Sequence, residues 1–243
     1  STSDLKMSGD SLVLWNAFIT NTGNLTLEPS SASFDRYQYL STSWGLTLPS
    51  TSFNNVRIGK AGTNGSDQNS GGFDVNGLSA RGDLELYGGY MWLNGNFTTS
   101  ATSGKGVLVK STGTIDVSDG TSAARRQISV TGANSTAGVT IWSNADATGG
   151  GAVQIGNYTD VKTNGAPIYI GGGATASESS PTGYAESTEA TYCSGLELGT
   201  LNVATDSVKI ASSGGDITLK GKNNYNAASC PAIKAWSGLT VDS

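Results

Sequence analysis

Residues Gly195–Gly221 read GLELGTLNVATDSVKIASSGGDITLKG, and this stretch shows the repeating pattern of the chain most clearly. It consists of apolar pairs with a single residue between them, such as Leu196 and Leu198 around Glu197. This alternation has the period of a half-buried β-strand. Gly, Ser, Asn and Asp separate the triplets, and these residues favour tight corners. Such short strands predict a chain that winds forward, adding one strand at each corner, as in a parallel β-solenoid.

The same triplets recur along most of the chain. The clearest are Leu84–Leu86, Met91–Leu93, Val107–Val109, Ile115–Val117, Ile128–Val130, Val139–Ile141, Val153–Ile155 and Ile168–Ile170. We therefore expect residues 1–243 to form a single all-β domain, a parallel β-solenoid with three short strands per turn and loop insertions. A turn of roughly 20–25 residues gives about eight turns once the loops are removed. No stretch has a sustained period of 3.6 residues, so we expect almost no helix.

Two stretches interrupt the pattern. Ser30–Thr42 lacks the alternation, and we expect a protruding loop there. Ala174–Ser194 is small, polar and acidic and contains Pro181, which predicts a loop insertion that leaves the solenoid wall. The pattern is still running at Leu239–Val241, so we expect the chain to be a fragment of, or one subunit in, a longer rod.

The composition argues against several classes of partner and cofactor. Charged residues are 14% of the chain and the formal net charge is −5, so no basic track for nucleic acid is expected. No apolar run is long enough for a membrane helix. The chain has no His, and the Gly-Gly-x-Gly-x-Asp pattern of calcium-binding β-rolls is not repeated. We therefore expect no metal ion and no other cofactor.

The acidic residues give little sign of a catalytic site. A Ser-His-Asp triad is excluded because the chain has no His. Paired carboxylates could serve a glycosidase, but the acids lie singly at corners and outward strand positions. They include Asp74, Asp83, Glu85, Asp116, Asp119, Asp160, Glu197, Asp206 and Asp216. Solvated corner residues are the simpler interpretation, so we expect no catalytic residues and no enzymatic activity.

Four tryptophans are predicted to point outward because their apolar neighbours occupy the interior positions. They are Trp15, Trp92, Trp142 and Trp236. Exposed indoles could stack on sugars or pack against another chain. The alternative is that corner loops fold down and cover them. We take these four residues as candidate contacts for a partner or a glycan.

Several segments of the sequence resemble those of a known family. They are GDLELYGGYMWLNGNFT, TGTIDVSDG, GGGAVQIGNYTDVKTNGAPIYIGGG and SGGDITLKGK. As a set they resemble the repeat region of filamentous-haemagglutinin-like exoproteins, the large secreted bacterial adhesins of two-partner-secretion type. The resemblance covers Leu84–Ser243 well and the first third loosely. It implies a right-handed β-helix, export to the cell surface, and adhesion. The Asn-Pro-Asn motifs of that family's secretion domain are absent, which predicts an inner or distal segment or another export route.

Cys193 and Cys230 are the only thiols. In an exported protein we expect them to form a disulfide that ties the end of the insertion to a late turn. The alternative is two buried thiols.

The function expected from the sequence is structural and adhesive. The chain would be a stiff rod, secreted or on the cell surface, that presents loops for adhesion or filament assembly. Its partners would be a receptor or glycan on a host or neighbouring cell, or further copies of itself. The alternative is a carbohydrate-active β-helix enzyme, a polysaccharide hydrolase or lyase.

Overall fold

The computed structural model describes residues 3–12, 19, 22–35, 38–40, 53–61, 71–173, 183–188, 193–199, 207–225, 230–236 and 238–243. These residues form strands, turns and bends, and no helix occurs among them. The strands in chain order are β1 (Leu5–Ser8), β2 (Leu25–Glu28), β3 (Gln38–Leu40), β4 (Val56–Ile58), β5 (Phe73–Val75), β6 (Leu78–Ala80), β7 (Leu84–Gly88), β8 (Met91–Leu93), β9 (Phe97–Thr99), β10 (Val107–Ser111), β11 (Ile115–Val117), β12 (Arg126–Val130), β13 (Val139–Ser143), β14 (Val153–Ile155), β15 (Thr159–Lys162), β16 (Ile168–Gly172), β17 (Ala185–Ser187), β18 (Leu196–Leu198), β19 (Val208–Ala211), β20 (Ile217–Leu219), β21 (Gly221–Asn223), β22 (Ile233–Ala235) and β23 (Leu239–Asp242).

Three long sheets contain almost all of these strands. Sheet 1 has eight strands in the order β1, β2, β4, β7, β10, β13, β16 and β20. Sheet 2 has seven, in the order β3, β5, β8, β11, β14, β18 and β22, and sheet 3 has six, in the order β6, β9, β12, β15, β19 and β23. The pairings between their strands are parallel. This topology confirms the all-β parallel solenoid predicted from the alternation.

From β4 onward, each turn of the solenoid takes one strand from each of the three sheets. The chain passes from β7 to β8 and β9 and returns to sheet 1 at β10, where Val107 pairs with Leu84. That turn takes 23 residues, whereas the turns from Val107 to Val139 and from Val139 to Ile168 take 32 and 29. These two turns are longer than predicted because one corner of each is long: residues 118–125 in the first and residues 144–152 in the second, where the 23-residue turn has residues 94–96 and 89–90. At about 4.8 Å per strand, the eight strands of sheet 1 extend over about 35 Å.

The interior of the solenoid consists of apolar rows that run from turn to turn. In sheet 1, Val107 lies between Leu84 and Val139 in register, and all three side chains are fully buried. The apolar members of the predicted triplets from Leu84 to Ile170 are likewise buried. Ile233 is the first residue of β22, and it is exposed because this strand has a described neighbour on one side only. Among the described residues, the predicted burial therefore holds wherever a triplet has a neighbouring strand on both sides.

Two stretches that were predicted to be loops contain strands. Within Ser30–Thr42, Gln38–Leu40 forms β3 and pairs in parallel with β5. Within Ala174–Ser194, Ala185–Ser187 forms β17 and pairs in parallel with β21 in a small fourth sheet. Both short strands lack the paired Val, Ile or Leu that marks the other triplets, so alternation alone did not reveal them. Residues 174–182 and 189–192 lie outside the described residues.

Cys193 and Cys230 form a disulfide, with their Cα atoms 5.1 Å apart. Cys193 precedes β18 and Cys230 precedes β22, and these two strands are neighbours in sheet 2. The bond therefore links two successive turns. It confirms the pairing expected from the sequence and excludes the alternative of two buried thiols.

The outer face of sheet 3 contains a buried carboxylate with three side-chain donors. Asp160, in β15, is 3% exposed. It accepts hydrogen bonds from Lys162 Nζ at 2.6 Å, Gln127 Nε2 at 2.9 Å and Arg125 Nε at 2.6 Å. Burial alone raises the pKa of the carboxyl, but these donors outweigh burial and hold the pKa of Asp160 below its ordinary value. Ionised Asp160 therefore stabilises the folded chain.

We predict that Asp160→Asn destabilises the protein by about 2 kcal/mol at neutral pH, because charge-assisted hydrogen bonds are lost. The pKa of Asp160 is lower in the folded than in the unfolded state. Its stabilisation is therefore present above the unfolded pKa and is lost as the pH falls through the folded pKa. Denaturant unfolding of wild type and variant at pH 7 and pH 2 should show the difference at pH 7 and a smaller one at pH 2. The exposed Asp242→Asn is the control, and a pH-independent difference would contradict the assignment.

The orientation of β14 predicts opposite responses at two adjacent positions. Ile155 is buried and Gln154 is half-buried on the outer face. Replacing Ile155 by Thr buries a hydroxyl in the apolar row and should lower the free energy of unfolding by about 2–3 kcal/mol. Replacing Gln154 by Thr introduces the same strand-compatible residue and should cost well under about 1 kcal/mol. Equal losses in denaturant unfolding would show that the inward and outward positions are wrongly assigned.

Candidate functional site on the outer face of sheet 2

Six outward side chains of sheet 2 form a single row along the solenoid, which we call the Trp92 row. Its members are Asp74, Trp92, Asp116, Gln154, Glu197 and Lys234. Each is the middle residue of its strand, and each is the register partner of the next. Adjacent strands lie about 4.8 Å apart, so the row presents one side chain at about that interval.

Trp92 is the exposed aromatic residue of this row. Its side chain is 44% exposed, although it lies in the middle of sheet 2 with strands on both sides. Its register partners are Asp74 on β5 and Asp116 on β11. The indole points outward, as the alternation predicts. Because its neighbours are carboxylates, no apolar side chain of the row packs over the ring.

Hydrogen bonds to nearby corner residues orient the two carboxylates beside Trp92. Asn94 Nδ2 donates to Asp74 Oδ1 at 2.9 Å, and the Tyr90 hydroxyl donates to Asp116 Oδ2 at 3.4 Å. Burial raises the pKa of Asp116, and the charge of Asp119 raises it further, while the Tyr90 hydrogen bond acts in the opposite direction. Asp116 therefore binds a proton more readily than an ordinary aspartate does.

The far end of the row has a second aromatic residue. Trp236 Nε1 donates to Glu197 Oε1 at 2.6 Å, and Lys234 Nζ lies 4.1 Å from the centre of the Trp236 ring. Gln154 Nε2 donates to Glu197 Oε2 at 3.2 Å. The corner residue beside Trp236 is Gly199, and a Cβ placed there would lie 3.4 Å from the Trp236 Cβ. The half-buried indole therefore lies against the row rather than standing free of it.

Trp142 is not a surface residue, which corrects its assignment as a candidate contact. It occupies an outward position of β13, but its side chain is fully buried. Its Nε1 donates to the Gly173 carbonyl oxygen at 2.8 Å, and Lys110 Nζ lies 4.2 Å from the ring centre. Lys110 pairs in register with Trp142 on one side and with Tyr87 on the other, and the side chains of Lys110 and Tyr87 are also buried. The Tyr87, Lys110 and Trp142 side chains thus form a second, covered layer outside sheet 1.

The sequence pattern indicates some members of this site but not others. Trp92 and Trp236 lie on one face, whereas Trp15 falls outside the described residues. Tyr90 and Asn94 were missed, because they are corner residues whose role depends on the strand beside them. The outward position of Asp74 and Asp116 could be read from the alternation, but their place on either side of Trp92 could not.

The described residues carry no further sign of a metal centre or a membrane helix. Among them, no three His, Cys, Asp or Glu side chains are grouped so that they could hold a metal ion. In the same part of the chain, no helix is long and apolar enough to cross a bilayer.

Comparison with known proteins gives no relative. The chain matches no protein-family model, and no curated protein or solved structure is significantly similar to it. The site must therefore be interpreted from its own geometry.

The contrast between Trp92 and Trp142 gives a prediction about stability. Trp142→Ala should lower the free energy of unfolding by about 3–5 kcal/mol, because it removes a fully buried ring and its hydrogen bond. Trp92→Ala should cost about 1 kcal/mol or less, because nearly half of that side chain is exposed. Denaturant unfolding of both variants measures the difference. Similar losses for the two variants would contradict the burial described for these tryptophans.

Proposed function

We propose that this chain is a structural and adhesive segment of a surface rod. The observation that carries the proposal is the Trp92 row, in which a mid-sheet indole stays exposed between two oriented carboxylates on a rigid parallel sheet. Recognition surfaces use aromatic side chains because these bury a large area with little loss of conformational entropy. The stacked strands fix the spacing of the row, which suits a surface built for contact.

The proposed location is outside the cell or on its surface. The Cys193–Cys230 disulfide supports this, because disulfides persist in oxidising compartments and are rare in the cytosol. The phrases that resemble filamentous-haemagglutinin-like adhesins support it too, and they supply the proposed right-handed winding. The proposed partners are a receptor or glycan on another cell, or further copies of the chain.

A second candidate function is favoured by Asp116. A carboxyl whose pKa is raised by burial is what a glycosidase needs as its general acid, and Asp74 supplies a second carboxylate two strands away. If the chain has this second function, the Trp92 row would be the substrate-binding cleft of a polysaccharide hydrolase or lyase. We place it second because the exposed indole stands between the two acids.

The adhesive function is tested by measuring the binding of fluorescently labelled protein to bacterial and mammalian cells, with electron microscopy of the same preparation. We expect saturable binding to cells or ordered polymers, and Trp92→Ala should weaken whichever is found. Tyr184→Ala is the matched control, since Tyr184 is an exposed aromatic residue outside the row. The enzymatic candidate is tested on a panel of polysaccharides. Release of oligosaccharides by wild type but not by Asp116→Asn would replace the adhesive proposal.

A further inference from the structure

The exposed apolar side chains of the described residues differ in their surroundings. The large ones are Trp92, Tyr184, Ile233 and Val241. Ile233 and Val241 lie on β22 and β23, which have a described neighbour on one side only. Trp92 has described strands on both sides and still presents 44% of its side chain to solvent. Its exposure is therefore a property of the sheet surface itself.

We infer that the Trp92 row binds a neutral, extended glycan, with one sugar ring stacked on the indole of Trp92. This inference rests on the proposed adhesive function and names the chemistry of its ligand. A pyranose ring has an apolar face of C–H groups and an edge of hydroxyls. The indole of Trp92 can stack on the apolar face, and the carboxylates of Asp74 and Asp116 can accept hydrogen bonds from the hydroxyls.

The hydrogen-bonding capacity of the row fits hydroxyl groups. Ionised carboxylates accept only, and each retains lone pairs beyond those used by Asn94 and Tyr90. Gln154, the next residue of the row, has an amide that both accepts and donates. Sugar hydroxyls donate and accept, so they can satisfy both kinds of group. The carboxylates are held by neighbours before any ligand binds, which lowers the entropic cost of binding.

The row also sets the length and direction of the ligand. Its side chains repeat at about 4.8 Å along the solenoid, which is close to the length of one sugar ring in an extended chain. Beyond Gln154 lie Glu197 and the indole of Trp236, which is a second aromatic surface against the same row. A glycan lying along the row would therefore contact several strands at once, and an oligosaccharide of five or six rings should bind more tightly than a disaccharide.

The charge of the row selects against acidic glycans. Asp74, Asp116 and Glu197 are carboxylates, and the cation of the row, Lys234, lies 3.8 Å from Glu197 and over the Trp236 ring. The whole chain carries a net charge of −5. Uronate or sulfate groups placed on this surface would meet like charges and would have to be desolvated beside them. The expected ligand is therefore a neutral glycan.

The test is direct binding of defined oligosaccharides to the full chain. The probes are the neutral hexasaccharides cellohexaose, xylohexaose and mannohexaose, the disaccharide cellobiose, and the anionic hexagalacturonate. We measure calorimetric affinity for wild type, Trp92→Ala and the control Tyr184→Ala. We expect at least one neutral hexasaccharide to bind, with about tenfold weaker binding for Trp92→Ala and unchanged binding for Tyr184→Ala. The disaccharide should bind more weakly than the hexasaccharide, and hexagalacturonate should not bind.

Three outcomes would overturn the inference. They are binding of hexagalacturonate alone, binding of a neutral glycan that Trp92→Ala leaves unchanged, and no binding of any neutral hexasaccharide. A cell-binding measurement then shows whether only the glycan inference has failed or the proposed adhesive function has failed as well. If wild-type protein still adheres to cells whose glycans have been oxidised with periodate, and Trp92→Ala weakens that adhesion, the adhesive function stands. The partner would then be a protein rather than a glycan.

Discussion

The structure depends on one arrangement, the parallel pairing of each strand with the strands one turn before and one turn after it. Strands of three to five residues make few hydrogen bonds, so none would be stable as an isolated hairpin. Stacked in sheet 1, Leu84, Val107 and Val139 satisfy their backbone groups and bury their side chains at the same step. Each turn is therefore stable only in the presence of its neighbours, as in other repeat folds. The Cys193–Cys230 disulfide strengthens the same contact between successive turns.

The same register that aligns the interior also aligns the surface. Residues with equal positions in successive turns become neighbours about 4.8 Å apart, so unpaired like charges would repel along the whole row. The protein meets this constraint by placing cations beside carboxylates. Glu28 contacts Lys6 at 2.6 Å and Arg57 at 3.1 Å. Asp160 contacts Arg125 at 2.6 Å and, within its own strand, Lys162 at 2.6 Å.

The part of the Trp92 row from Asp74 to Asp116 departs from this charge pairing, and that departure is why the row is the candidate site. An indole separates Asp74 from Asp116, and their hydrogen bonds come from the neutral side chains of Asn94 and Tyr90. The carboxylates therefore keep accepting capacity, and the ring keeps its exposed face. Burial of Asp116 raises the pKa of its carboxyl, which is the feature on which the enzymatic candidate rests. An adhesive row and a catalytic cleft would thus use the same residues, and only measurements with glycans distinguish them.

The sequence alone determined the fold class and the inward side of most strands, because a period of two residues is a local property of the chain. It also identified the outward direction of Trp92 and the partners of the disulfide. Tertiary structure decided which residues become neighbours, since corner loops make successive turns differ in length and the register cannot be counted from the sequence. The pairing of Trp92 with Asp74 and Asp116 is one such case. Burial of Trp142 is another, because an outward position is exposed only if nothing folds over it, and here Lys110 and the Gly173 carbonyl meet the indole.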